Sequence, residues 1–214
     1  MIFLSHRGLW KTKSEQNTLA AFQLSFTHGF GCELDIRDRD GQLIISHDVP
    51  TEAPYLLLEE VFQTYKKLNS KVAIAINIKA DGLQSLLLEL IDKYSITNYF
   101  TFDMSIPDTL GYQKNQLKFF SRQSEYEPRQ SLYEQADGIF LDCFHSDWWT
   151  LKDIEPHLKK GKPVALVSPE LHGRDYQAAW ETWRKIEREL ATDRLMLCTD
   201  FPEQARAFFE QSDL

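Results

Sequence analysis

A closed barrel of eight parallel strands, each followed by a mostly helical segment, is the fold the sequence predicts, and three observations predict it. Short apolar, strand-like runs alternate with amphipathic helical stretches from one end of the chain to the other. The run Val72-Ala73-Ile74-Ala75-Ile76 is apolar without a break, as a strand buried on both faces requires. The polar residues His6, Glu33, Asp35, Asn77, Lys79, Asp103, Arg122, Asp142, Glu170 and Asp200 all fall where such strands end. In a (β/α)8 TIM barrel those ends form one rim, which is where catalytic groups gather; an open doubly wound sheet is the rival arrangement. A single domain over residues 1–214 is expected, somewhat shorter than the ~250 residues typical of the fold.

Each element has its own justification. Ile2-Phe3-Leu4-Ser5 is a short apolar strand that delivers His6-Arg7-Gly8. Asn17-Thr18 caps a helix in which Leu19, Phe22 and Phe26 repeat at helical spacing, and Gly29 closes it. The stretch 31–48 reads as two strands about Asp40-Gly41, the second running back to deliver His47-Asp48. Residues 56–68 are helical, and the strand at 72–76 delivers Asn77-Ile78-Lys79. Asp81-Gly82 opens a helix through Leu86, Leu87, Leu90 and Ile91; a strand at 99–102 and a short helical turn after Pro107 follow. Further strands are expected at 117–121, 138–141, 163–167 and 194–197. A long amphipathic helix bearing Trp180, Trp183 and Ile186 precedes the last strand, and a helix at 203–209 follows it.

Composition narrows the class. At 43% hydrophobic and 26% charged residues, the chain is ordinary for a globular protein with a large core. A net charge of −8 without a basic stripe excludes general nucleic-acid binding. No apolar run approaches the ~18 residues of a membrane span, and Met1 leads straight into a strand, so a cytoplasmic location without stable membrane insertion is expected. Cys32, Cys143 and Cys198 lie in or beside apolar runs and read as reduced core residues.

The chemistry concentrates in residues 31–48. Glu33 and Asp35 sit two apart, so on a strand both point to one face while Leu34 and Ile36 point to the other. Two carboxylates sharing a pole repel each other unless a proton or cation lies between them, which points to a hard divalent ion with oxygen ligands. The return strand brings His47 next to that pair, and His6-Arg7-Gly8 follows a neighbouring strand.

His6-Arg7-Gly8, Asn17-Thr18, Glu33-x-Asp35, Asp40-Gly41, His47-Asp48 and the late Thr199-Asp200-x-Pro202 together resemble the glycerophosphodiester phosphodiesterase family. The resemblance implies a barrel that uses two histidines and a divalent cation, magnesium or calcium, to split a glycerophosphodiester into a phosphomonoester and an alcohol. It makes His6 and His47 the acid–base pair, Glu33, Asp35 and Asn77 the metal ligands, and Arg7 and Lys79 the phosphate contacts. Asn77 stands where the family carries a glutamate, and Gln16 where its helix-opening motif has another. Glu125, Glu127 and Glu170 are candidates to replace the missing carboxylate. His172 and Arg174, after the seventh strand, are candidates for substrate contact, Arg174 for the phosphate. The expected partner is a small phosphodiester or lysophospholipid-like substrate. The alternatives are a lyase or transferase of the sphingomyelinase D type and a non-catalytic barrel that binds a phosphorylated headgroup. His28 reads as structural, His145 and His157 as surface residues of a helical region, and Trp148-Trp149 as core packing or a lipid-facing lip.

Overall fold

The structure is a computed structural model and describes residues 1–51 and 53–211. Contacts between Cα atoms divide the chain into two compact units, Ser5–Phe119 and Met1–Leu4 with Phe120–Leu214.

In the unit Ser5–Phe119, α1 (Leu19–Thr27) begins where the Thr18 hydroxyl accepts from the Ala21 N–H at 3.3 Å, and it ends at Gly29 with φ +71°. Strand β2 (Gly31–Arg39) turns back through Asp40 and Gly41, both at positive φ, into β3 (Gln42–Ile45). Positive φ at both central residues is what a tight hairpin turn between right-twisted strands demands. Helix α2 (Leu58–Lys67) carries acidic residues in its first turn and lysines in its last, matching the helix dipole, and buries Leu58, Val61, Phe62 and Tyr65. Strand β4 (Ile74–Ile78), α3 (Gln84–Tyr94), β5 (Tyr99–Phe102) and α4 (Ile106–Lys114) complete this unit. Its strands run β5-β4-β2, parallel, with β3 antiparallel on β2. Leu34, Ile36, Ile74, Ile76 and Ile78 pack with Phe22, Phe62 and Leu87 from the helices, so one face of the sheet is sealed by apolar burial.

The other unit contains β1 (Ile2–Ser5, through Leu4), β6 (Phe120–Gln123), β7 (Gly138–Leu141), α5 (Leu151–Lys159), β8 (Val164–Val167), α6 (Gln177–Leu190), β9 (Leu195–Thr199) and α7 (Pro202–Glu210). Its strand order is β1-β9-β8-β7-β6. The first strand of the chain therefore lies beside the last, and no strand leapfrogs another. A doubly wound sheet would need a reversal of order, so the fold class is the expected (β/α)8 barrel with one added antiparallel strand. Trp149 stacks on Trp183 with ring centroids 4.2 Å apart, which assigns Trp149 to the core, while the half-buried Trp148 donates to the Asp142 carbonyl at 2.9 Å.

Four local expectations need correction. The fifth parallel strand starts at Phe120 rather than 117, because Leu117 N–H is still closing α4 by donating to the Tyr112 carbonyl at 3.0 Å. The segment after Pro107 is a nine-residue helix rather than a short turn, since Ser105 caps it and Pro107 sits in its first turn, where no N–H is needed. No helix forms among residues 124–137, where Pro128 disfavours helical geometry at Glu127. His157 is buried on α5 and bonded to Tyr133 and Gln123, and His145 lies in a loop against the Tyr126 hydroxyl. The three cysteines are buried and free, as expected. No helix among the described residues is long and apolar enough to cross a membrane.

Candidate active site

The loop after β1 is shaped by two residues in left-handed conformation, Arg7 at φ +58° and Gly8 at φ +92°. A side chain on Gly8 would put a Cβ 2.7 Å from the Ala21 Cβ, so glycine is needed here for backbone angle and for the close approach of α1 alike. Leu9 N–H donates to the Ala21 carbonyl at 3.0 Å, and Asn17 N–H to the Arg7 carbonyl at 2.9 Å, so the loop is fastened from both sides. Trp10 Nε1–H donates to the His6 carbonyl at 2.9 Å. The result aims the Arg7 N–H at Glu33 Oε2, 3.1 Å away, with His6 Nε2 at 4.0 Å from the same oxygen.

Alternation along β2 works as the sequence implies: Cys32, Leu34 and Ile36 join the apolar cluster, while Glu33 and Asp35 share the opposite face and are themselves buried. Asp35 is closely surrounded. Arg7 Nε lies 2.9 Å from its Oδ2, Asn17 Nδ2–H donates to the same oxygen at 2.8 Å, and Lys79 Nζ stands 3.4 Å from Oδ1. A buried carboxylate needs such company, because an unpaired buried charge costs several kcal/mol. Burial above all, and then the Asp35 charge, push the Glu33 carboxyl up to about 7, although His6, Lys79 and Arg7 pull the other way. Burial thus favours the protonated form of Glu33 far more than for an ordinary carboxyl. With that proton on, Asp35 balances only one of the two cations, and the cluster carries net positive charge suited to an anion.

Asn77 lies opposite Asp35 in the β2–β4 register and is 7% exposed. Its Oδ1 is buried without a hydrogen-bond partner, and Asp35 Oδ1 has only the Lys79 ammonium at 3.4 Å; the two oxygens fit, with Glu33, the ligands of a hard cation. The set falls short of three charged ligands: no group of three His, Cys, Asp or Glu able to hold a metal occurs among the described residues.

His47 is brought back by the hairpin, where Ser46 N–H donates to the Asp35 carbonyl at 3.0 Å and Arg37 Nε–H to the His47 carbonyl at 3.0 Å. Its ring is exposed, with Nδ1 2.9 Å from Asp48 Oδ1. The structure therefore gathers His6, Arg7, Glu33, Asp35 and Lys79 into one connected cluster, sets Asn77 beside it in register, and leaves the His47 ring paired with Asp48. Arg174 belongs to the other unit, where Nη1 donates to Asp147 at 2.9 Å and Nη2 to the Cys143 carbonyl at 2.8 Å. The proposed replacement carboxylates are also engaged there. Glu125 accepts from three backbone N–H groups, Glu127 pairs with Arg122, and Glu170 accepts from Ser168 and Thr199. His28 is exposed at the end of α1, its Nδ1 2.9 Å from the Leu24 carbonyl, a structural position as expected.

Two contributors are missed by sequence reasoning. Asn17 reads as a helix opener, yet its side chain holds Asp35, and its φ of +57° is the conformational cost of doing so. Arg37, two residues beyond Asp35 on the same strand, is given no role by the sequence reading, and the hairpin shows its Nε–H holding the His47 carbonyl.

No known family model matches the sequence, and no curated protein does. Solved structures share the fold. A protein from Galdieria sulphuraria proposed to be a glycerophosphodiester phosphodiesterase matches with a TM-score of 0.74 at 19% identity, covering 98% of each chain. The glycerophosphodiester phosphodiesterase of Agrobacterium tumefaciens matches at 0.66 and 17% identity, covering 96% of this chain and 99% of its own. A phosphodiesterase of Oleispira antarctica, solved with the product sn-glycerol-3-phosphate, matches at 0.69 and 12% identity over 99% and 97%. At these identities the likeness is one of fold.

Proposed function

We propose that this chain is a phosphodiesterase that hydrolyses a small glycerophosphodiester-like substrate to a phosphomonoester and an alcohol. The observation that carries the reading is the buried cluster formed by the loop after β1, one face of β2 and the residue after β4: a carboxylate pair flanked by Arg7 and Lys79, with His6 against Glu33. The fold shared with glycerophosphodiester phosphodiesterases supports the substrate class.

Arg7 and Lys79 would hold the diester's phosphoryl oxygens and stabilise charge that grows there during attack. A water oxygen bonds to phosphorus as the phosphorus–alcohol oxygen bond breaks. One imidazole of the pair His6 and His47 takes the water proton, and the other returns a proton to the leaving alcohol. Glu33 and Asp35, with the Asn77 amide oxygen, would hold a calcium or magnesium ion, which when bound supplies Lewis-acid stabilisation of the phosphoryl charge. Arg7 and Lys79 compete for the same carboxylate charge, so cation affinity is modest. Arg174 is bound to Asp147 and the Cys143 carbonyl within its own unit and has no part in this proposal.

One observation favours a second reading, a barrel that binds a phosphorylated headgroup without turnover: the exposed His47 ring turned to Asp48. The deciding experiment is turnover of a panel of glycerophosphodiesters and lysophospholipids with calcium, magnesium or chelator. Release of a phosphomonoester supports hydrolysis, a cyclic phosphate product points to the lyase or transferase, and no product with any metal points to the binder.

A further inference from the structure

Three elements of the unit Ser5–Phe119 enclose a cavity of about 160 Å³: the turn into β3, the start of α2 and one face of α3. Leu43 in its wall is buried, and Leu57, Leu86 and Leu90 are half-buried, so four leucines line it. Leu86, Glu89, Leu90 and Lys93 follow at i, i+3, i+4 and i+7, which puts them on one side of α3. Water held against such a wall gains little, and an apolar group that displaces it is favoured.

The polar part of the lining is acidic. Glu59 is already spent: Lys93 and the Tyr94 hydroxyl both donate to its Oε1 and hold its carboxyl below the usual range. That leaves Glu89 without its ordinary helical partner. A glutamate pairs best with a lysine four residues on, and Lys93 stands at that position but turns to Glu59 instead. Glu89 is exposed, and neither its carboxylate nor the Gln42 amide beside the cavity has a hydrogen bond or ion pair among the described residues.

The cavity thus offers an apolar wall, one uncommitted carboxylate and one uncommitted amide. At ~30 Å³ per water it holds roughly five water molecules, well below the ~300 Å³ at which sites for cofactor-sized ligands begin. A short alkyl chain matches that space, and an ammonium at its end can donate to Glu89 and to the Gln42 side-chain oxygen. An anion in the same place would meet the like charge of Glu89.

We propose that this cavity is a binding site for a small amphipathic amine, its alkyl chain against Leu43, Leu57, Leu86 and Leu90 and its ammonium at Glu89. None of these residues belongs to the cluster around Asp35, so the site stands whether or not the chain turns over a phosphodiester.

The test is NMR titration of the full chain with n-pentylammonium and, separately, with n-pentanol and pentanoate, which keep the alkyl chain and change the charge. Pentylammonium is expected to bind saturably in the millimolar range and to shift the backbone amide signals of Leu43, Leu86 and Glu89. Pentanol should bind about threefold more weakly, the difference expected from one exposed ion pair, and pentanoate more weakly still. Glu89→Gln should bring pentylammonium down to the level of pentanol and leave pentanol unchanged. Glu89→Lys should reverse the order of pentylammonium and pentanoate, and Leu86→Trp, which fills the cavity, should abolish binding of all three. No saturable shift at these amides, equal affinity for the three ligands, or an unchanged order in Glu89→Lys overturns the proposal. So does a shift of the same amides with protein concentration alone, which would mean that a second copy of the chain occupies the cavity. Position 89 is exposed, so Glu89→Lys decides the matter should Leu86→Trp fail to fold.

Discussion

Replacing Glu33 by Gln isolates the cost of the buried carboxylate pair. In the folded chain the Glu33 carboxyl rises from its ordinary 4.5 to about 7, chiefly through burial and secondly through Asp35. Below pH 4.5 both folded and unfolded chains carry the proton, and the full stability is present. Between 4.5 and 7 the unfolded chain has released a proton that the folded chain still holds, so stability falls as pH rises. Above 7 the loss is complete. At ~1.4 kcal/mol per pH unit, the rise amounts to about 3 kcal/mol in the absence of a cation. The amide introduced by Glu33→Gln cannot ionise but can still accept the Arg7 N–H bond, which in wild type measures 3.1 Å. Urea unfolding of both proteins, in chelator from pH 4.5 to 8, should therefore show Glu33→Gln gaining about 3 kcal/mol on wild type across that range. Added calcium or magnesium should shrink the gain by stabilising wild type at high pH. Parallel stability curves, or a gain that shrinks with rising pH in chelator, would refute the charge balance drawn for this cluster.

Three further outcomes are expected. Asn77→Glu should tighten calcium or magnesium binding by about tenfold in calorimetry at fixed ionic strength, less whatever Lys79 neutralises; equal or lost affinity would remove position 77 from the ligand set. His6→Ala and His47→Ala should each lower turnover of the best substrate by ~100-fold or more, with the double variant falling less than their product; near-normal turnover in either one removes that histidine from the acid–base pair. Gly8→Ala forces a Cβ within 2.7 Å of Ala21 at φ +92°, and should cost about 2 kcal/mol or more in unfolding free energy measured by urea; a neutral substitution would mean that α1 is free to withdraw from the loop.

Strand identity and facing are legible in this sequence because they are local. The period of two in Glu33-Leu34-Asp35-Ile36 settles which side chains share a face, and Asp40-Gly41 settles where the strand returns. The unbroken apolar run before Asn77 identifies a strand covered on both faces, and the placement of polar residues at strand ends separates the barrel from an open sheet. Boundaries set by hydrogen bonding are less legible. Leu117 looks like a strand residue, but the bond closing α4 keeps it outside the strand, and Pro128 suppresses a helix that alternation alone would supply.

What each charge is worth is decided by the tertiary structure. Glu33 and Asp35 are equivalent in sequence, yet one collects two cations and an amide while the other, buried beside it, holds a proton near neutrality. That division depends on Arg7 and Asn17 arriving in left-handed conformations from a loop pinned to α1, which no periodicity encodes. His157 reads as a surface residue and is buried, while His172 acquires its orientation from Asp142, 30 residues away. A residue's type fixes which protons and lone pairs it can offer. Burial and the neighbours supplied by distant segments fix whether it offers them charged, neutral or already spent.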